Sequence, residues 1–186
     1  MNTLTICMYG AASDRIDPVY FKKTRALGRE IAGRKHRLIY GGGASGLMGA
    51  CAEGCQEVNG TVIGVVPHFM RSYERLNDNC TKLIQTENMA ERKLIMEDTA
   101  DAFIIVPGGI GTLDEFFEVL TLTELGRQSK PILLYNIEGF FDLLIALLED
   151  GIRKGFINKK VRDLYIVSHD PIQALNLIEW AVQEGN

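Results

Sequence analysis

Short apolar runs alternate with amphipathic stretches along the whole chain, and this alternation constrains the fold more than any other feature of the sequence. Residues 4–9, 37–40, 61–66, 102–106, 131–135 and 164–167 read as strands. Several are continuously apolar, as strands covered on both faces of a sheet must be. Helices are expected over 18–33, 46–59, 88–99, 112–126, 140–155 and 171–184. Leu143, Leu144, Leu147 and Leu148 carry the i, i+3, i+4 stripe of an amphipathic helix. Gly126, Gly151 and Gly155 fall where helix ends or turns belong. Regular strand–helix alternation gives a parallel sheet with right-handed crossovers. The expected fold is therefore α/β, a Rossmann-like, doubly wound parallel sheet flanked by helices. No repeat, low-complexity tract or Pro/Ser-rich linker divides the 186 residues, so a single domain over 1–186 is expected.

Composition narrows the function. An apolar fraction of 46% is too high for a disordered chain. Twenty-four acidic against twenty basic residues, net charge −4, exclude a strongly basic nucleic-acid binder by bulk charge. No run approaches the ~18 apolar residues of a membrane span, and the first ten residues read as a strand, without the basic start and apolar core of a signal segment. A cytoplasmic protein with no membrane or nucleic-acid-polymer partner is expected. Of the four cysteines, Cys51 and Cys55 are spaced to share a helical face. No second Cys or His pair stands nearby to complete a zinc site, so free thiols and no metal are expected. His36, His68 and His169 read as surface or packing residues.

In doubly wound sheets ligands bind beyond the carboxyl ends of the strands, and two glycine clusters lie there. The first, Gly41-Gly42-Gly43-Ala44-Ser45-Gly46, formally matches G-x-G-x-x-G. The acid that would hold a dinucleotide ribose is missing after the next strand, which ends Val66-Pro67-His68, and Leu47-Met48 replaces the Lys-Ser/Thr of a P-loop. What remains is a loop whose backbone can approach an anion or a flat ligand, or simply a tight turn. The second cluster, Pro107-Gly108-Gly109-Ile110-Gly111-Thr112-Leu113-Asp114-Glu115, again joins a strand to a helix. Its amides and the helix dipole suit a phosphate without a lysine. Thr112 and Glu115 are also spaced as a capping box. The dipole favours an ionised Glu115, suited to stabilising a cationic sugar or activating water, and poorly suited to acting as a general acid.

Upstream lies Met89-Ala90-Glu91-Arg92-Lys93. Met89 and Arg92 share a helical face. Arg92 and Lys93 point about 100° apart, so only one can aim fully into a cleft. A planar guanidinium grips phosphate or ribose well.

Taken together these residues resemble the Lonely Guy (LOG) family of nucleoside 5′-monophosphate phosphoribohydrolases, a family often described as lysine decarboxylases. The signature P-G-G-x-G-T-x-x-E is matched by Pro107, Gly108, Gly109, Gly111, Thr112 and Glu115, and M-x-x-R-K by Met89, Arg92 and Lys93. Tyr40 to Gly43, Gly46 to Gly49, Gly64 to Pro67, and a turn at Glu118 to Thr121 also look like the family, as does the spacing from Lys130 to Ile157. The resemblance implies hydrolysis of the N-glycosidic bond of AMP or N6-prenylated AMP, giving free base and ribose 5-phosphate, without a cofactor. It implies Glu115 as the carboxylate that stabilises an oxocarbenium-like sugar and activates water, with Arg92 as its catalytic partner. Gly108, Gly109, Ile110, Gly111, Thr112, Leu113 and Asp114 would surround the phosphate, and Met89 would line the base pocket. Family substrate contacts map onto Glu74, Lys93 and Thr121, with Gly42, Gly43 and Ser13 also beside substrate. The segment Gly10-Ala11-Ala12-Ser13 departs from the family's Cys-Gly-Ser-Ser, and only Ser13 retains a polar group there. A homodimer is expected from the resemblance and from the apolar Phe116, Phe117, Leu120 and Leu122 on one helix. The alternatives are a non-catalytic nucleotide carrier, against which stands the retention of both Arg92 and Glu115, and a decarboxylase, which requires pyridoxal phosphate on a lysine, for which only Lys93 is placed. A nicotinamide oxidoreductase ranks below both, for want of the ribose acid.

Overall fold

A computed structural model describes residues 2–73 and 75–185. The strands are β1 (Thr5–Tyr9), β2 (Arg37–Tyr40), β3 (Thr61–Pro67), β4 (Lys82–Thr86), β5 (Ala102–Ile105), β6 (Ile132–Tyr135) and β7 (Ile166–Ser168). They form one parallel sheet in the order β4-β3-β2-β1-β5-β6-β7. The helices are α1 (Pro18–Gly33), α2 (Gly46–Glu57), α3 (Met89–Thr99), α4 (Ile110–Glu124), α5 (Asp142–Arg153) and α6 (Pro171–Glu184). One core joins α1, α2 and α6 to one face of the sheet, and a second joins α3, α4 and α5 to the other. This is the expected doubly wound α/β architecture. The chain winds outward from β1 to β4 and then returns to β5 beside β1, so the switch point lies between the ends of β1 and β5.

Local chemistry sets most boundaries. Both α1 and α6 begin with Asp-Pro: Asp17 and Asp170 accept a backbone N–H with their side chains, and proline takes the first helical position. Free thiols are found at all four cysteines. Cys51 and Cys55 are buried on α2, with the Cys55 thiol donating to the Gly28 carbonyl at 3.1 Å. His36 is buried, its Nδ1 accepting from the Leu4 amide and its Nε2 2.9 Å from Glu179.

Several boundaries differ from the sequence reading. β4 was not expected, because this edge strand mixes Lys82 and Gln85 with Leu83 and Ile84 and lacks a continuous apolar run. The last strand is Ile166–Ser168, displaced toward the C-terminus because 159–163 form a short 3-10 turn. Helix α2 stops at Glu57, since Asn59 is left-handed at φ 58°. Helix α5 starts at Asp142, after Glu138 and Gly139 both adopt positive φ. Gly126 and Gly155 do end helices with positive φ. Gly151 instead lies inside α5, where a Cβ would meet Ile157 at 2.6 Å. The segment 118–121 is not a turn but the interior of α4.

Helices α1 and α2 touch through their backbones. A Cβ on Gly28 would lie 2.1 Å from the Cys51 carbonyl oxygen, and one on Gly54 2.1 Å from that of Arg25. Backbone cannot yield as a side chain can. Gly54→Ala is therefore expected to destabilise the fold by about 1–3 kcal/mol or more through overpacking. Gly33→Ala, at a helical position with nothing within 4 Å, is expected to stabilise it by about 0.4–1 kcal/mol. Urea denaturation midpoints of the two variants check both signs.

Candidate active site

The two glycine clusters meet at the switch point, but the fold uses them differently. At the first, the start of α2 is filled by the protein itself. The Gly46 amide donates to the Asp14 carboxylate at 2.7 Å and the Leu47 amide to the Ala11 carbonyl at 2.8 Å. Gly46 has φ +63°, and a Cβ there would lie 2.3 Å from the Ala11 oxygen. The Ala44 amide donates to the Arg75 carbonyl, and the Asn77 amide to Gly42. Gly42 and Gly43 thus anchor the strap that leads into β4, with a bridge between Gly43 and Leu76. Gly41 is the member of this cluster that borders the cavity described below.

At the second cluster the helix end is left open. Gly109 occupies the N-cap of α4 and no side chain caps it. The first amides of a helix have no intrahelical acceptor, and the dipole adds positive potential there. The capping box expected of Thr112 and Glu115 does not form, because α4 starts two residues before Thr112. Thr112 is buried in the first turn, and a Cβ on Gly108 would lie 2.1 Å from its Oγ1. A Cβ at Gly109 or Gly111 would meet nothing within 4 Å, so both positions face open space. The arrangement leaves backbone donors accessible to an anion.

Helix α3 delivers Arg92 to this point. Its start is fixed by the Asn88 side chain, which accepts from the Glu91 amide at 2.9 Å, while Glu91 accepts from the Glu87 amide at 2.8 Å. One turn in, Arg92 donates from Nη1 to Glu115 Oε1 at 2.8 Å and from Nε to the Val65 carbonyl at 3.3 Å. Its Nη2 lies against Gly41, where a Cβ would come within 2.4 Å. Arg92 and Glu115 are each only 8% exposed. Burial pushes the Glu115 carboxyl above its ordinary range, and the charge and hydrogen bond of Arg92 pull it back without cancelling the rise.

A cavity of about 360 Å³ opens over this pair. Gly109, Gly111 and Thr112 form one wall, and Ala11, Ala12 and Ser13 another. Met48, Pro67, Met70 and Met89 supply apolar surface. Arg92 and Glu115 are the charged groups that line it among the described residues. The structure thus brings together Ser13, Met89, Arg92, Gly109, Gly111, Thr112 and Glu115.

Other candidates lie elsewhere. Gly108 packs under Thr112, Ile110 projects outward at 83% exposure, and Leu113 is half-buried in the first turn. Lys93 turns away from the cavity to a neighbouring face of α4, its Nζ 2.6 Å from Asp114 and 2.6 Å from Glu118. Lys93, Asp114 and Thr121 line a separate shallow depression. Glu74 lies outside the described residues. Sequence reasoning missed Gly41, Met48, Pro67, Met70 and the Val65 carbonyl as parts of the site. The Gly-Val-Val-Pro stretch at the end of β3 was the only local signal for Val65 and Pro67, and nothing local marks Asp14 as a cap for α2.

A family model described as "Possible lysine decarboxylase" matches residues 48–178. The chain is 34% identical over 174 residues to a "Probable cytokinin riboside 5'-monophosphate phosphoribohydrolase LOGL9" from Oryza sativa subsp. japonica, covering 94% of this chain and 77% of that protein. It is 40% identical over 152 residues to a "Cytokinin riboside 5'-monophosphate phosphoribohydrolase" from Rhodococcoides fascians, covering 81% of this chain and 77% of that one. Among solved structures, the molybdenum cofactor binding protein from Rippkaea orientalis aligns with a TM-score of 0.73 at 22% identity, over 98% of this chain and 99% of that one. That likeness concerns the fold alone. With the family model matched over more than half of its length and both relatives matched over most of theirs, the chain belongs to the Lonely Guy family, whose model carries the lysine decarboxylase description.

Proposed function

We propose that this protein hydrolyses the N-glycosidic bond of a nucleoside 5′-monophosphate, AMP or N6-prenylated AMP, to free base and ribose 5-phosphate. The observation that carries the reading is the buried Arg92–Glu115 pair set beside an uncapped helix start in one cavity. The names of the two relatives support the same reaction. In this reading the 5′-phosphate lies on the amides at the start of α4, beside Thr112. The ribose then sits over Glu115 and Arg92, and the base reaches the apolar surface of Met48, Met70 and Met89. As the bond from C1′ to the base breaks, positive charge develops on the sugar. The Glu115 carboxylate opposes it and takes the proton from the water that bonds to C1′, while the base leaves with the bonding pair and is protonated by solvent, to which Glu115 afterwards releases its proton. Arg92 holds that carboxylate in place and offers its remaining edge to the ribose phosphate.

The decarboxylase description of the family model finds no support in the cavity, where no lysine stands among the described residues. The ammonium of Lys93 loses proton affinity to burial but gains more from Asp114 and Glu118, so it stays charged. An amine held in this state is a poor nucleophile. The homodimer is likewise a proposal: Phe116 and Leu120 are buried in the core, and what supports it is the exposure of Ile110 and Phe117 on α4 and of Leu125 just after it. A cytoplasmic location and a single domain complete the reading, the first in keeping with four free thiols.

Base release from AMP and N6-isopentenyl-AMP, followed by chromatography, tests the reaction. AMP binding without base release would identify a carrier instead. Glu115→Gln keeps the shape and a hydrogen bond to Arg92 but loses the charge, and is expected to lower kcat by about 10²–10³ with an unchanged circular dichroism spectrum.

The pH dependence follows from the burial of Glu115. Its ionised form is the active one, and its pKa is raised, so activity is present above that pKa and is lost as pH falls through it. The acid limb of kcat/KM is expected above the ~4.3 of an ordinary glutamate. A limb at or below that value would contradict the assignment.

Gly41→Ala is expected to press on the Arg92 guanidinium and to leave the sheet intact, since the nearest atom is a side-chain terminus. A loss of about tenfold or more in kcat/KM with a melting temperature close to wild type is the predicted pattern.

A further inference from the structure

We propose that Arg15 is a substrate-binding residue, which takes the 5′-phosphate from the side away from the ribose and completes the anion site begun by the amides of α4. The inference rests on the hydrolase reading above and adds a contact to it. A second cavity, of about 310 Å³, lies beside the one over Arg92 and Glu115. Ala11, Ser13 and Gly109 border both, so the two cavities meet at the N-cap of α4. Ile16, Tyr20 and Phe140 give the second cavity apolar walls, and Arg15 is the one charged residue lining it among the described residues.

The loop from β1 to α1 is held in place on both sides. The Ala11 amide donates to the Pro107 carbonyl at 3.1 Å, which ties the loop to the turn that leads into α4. The Ala11 carbonyl and the Asp14 carboxylate accept from the first amides of α2. Between these anchors the Arg15 amide donates to Ser13 Oγ at 3.1 Å, which fixes the local turn. Two consecutive residues thus bring opposite charges to two helix starts. Asp14 caps the start of α2, and Arg15 lines the cavity beside the uncapped start of α4. A cation beside a helix N-terminus is unfavourable by itself, because the amides there already carry positive potential. The protein supplies nothing to relieve it. No carboxylate lines this cavity, and the Arg15 guanidinium has neither an ion pair nor a hydrogen bond among the described residues. A phosphate monoester, close to a dianion at neutral pH, supplies the missing counter-charge. Its oxygens can take the α4 amides on one side and the planar fork of the guanidinium on the other.

Calorimetric binding in a Glu115→Gln background, where substrate is not consumed, tests the contact. An ionic strength of about 0.15 M screens charges that lie more than about 8 Å from the ligand. Adding Arg15→Gln is expected to weaken AMP binding by about tenfold or more, the worth of a hydrogen bond between charged groups. Adenosine, which has no phosphate, is expected to bind within about twofold of its affinity before the change. Lys22→Gln removes the same charge from an exposed position on α1 that does not line the cavity, and is expected to leave AMP binding within about twofold. In the otherwise native chain, Arg15→Gln is expected to raise KM for AMP by about tenfold with kcat within about threefold of wild type. AMP affinity left within about twofold by Arg15→Gln, equal losses for AMP and adenosine, or an equal loss in Lys22→Gln would each overturn the inference. Absence of base release by the wild-type protein would instead overturn the hydrolase reading, and the binding series would still decide the role of Arg15.

Discussion

The buried contact between Arg92 and Glu115 is the interaction on which the rest of the site depends. Removing a carboxylate and a guanidinium from water costs several kcal/mol per ion, and their attraction offsets this only with good geometry and further hydrogen bonds. The geometry here is assembled from four separate segments. Helix α3 supplies the arginine and α4 the glutamate, β3 ends in a carbonyl that takes Nε, and β2 ends in a glycine that leaves room for Nη2. None of these segments is adjacent to all the others in sequence. Only a parallel sheet whose strands end at the same edge brings them together, which ties the crossover topology directly to the chemistry.

The same edge carries two helix starts of opposite character. Asp14 and the Ala11 carbonyl close the start of α2, so that its dipole is met from within the protein. The start of α4 has a glycine cap and no internal acceptor from a side chain. Both follow a strand through a glycine-rich loop, and composition does not distinguish them. The difference lies in what the loop after β1 does: it folds over α2, and in so doing presents Ala11, Ala12 and Ser13 as a wall of the cavity in front of α4. One loop both closes the start of α2 and forms a wall of the cavity in front of α4.

The strand–helix order was legible because strands covered on both faces must be apolar throughout, as 102–106 and 131–135 are. The edge strand β4 was not, because an edge needs no such run. At the site, Arg92 and Glu115 were legible as a pair through the resemblance of their motifs, but their direct contact was not, since it spans 23 positions and depends on how α3 and α4 pack. Thr112 and Glu115 illustrate the limit. Their spacing fits a capping box, and only the earlier start of α4 excludes it. Lys93 illustrates a second limit. Its neighbour in sequence faces the cavity, and a difference of about 100° around α3 sends Lys93 instead to Asp114 and Glu118.

Net negative charge and the proposed phosphate site are compatible in this chain because the field that an approaching ligand meets is local. The acids nearest the start of α4 are Glu115 and Asp114, with Asp14 across the loop. Each is already engaged by a donor of the protein: Arg92, Lys93 and the Gly46 amide respectively. Engaged charges project little field beyond a few ångströms, while the α4 amides remain unopposed. Met48, Met70, Met89 and Pro67 give the cavity apolar walls, and low-dielectric surroundings strengthen what such amides exert. The low dielectric that helps the amides also raises the Glu115 carboxyl. Arg92 therefore acts in two ways at once: it places the carboxylate, and its charge and hydrogen bond oppose the rise in proton affinity that burial imposes on it.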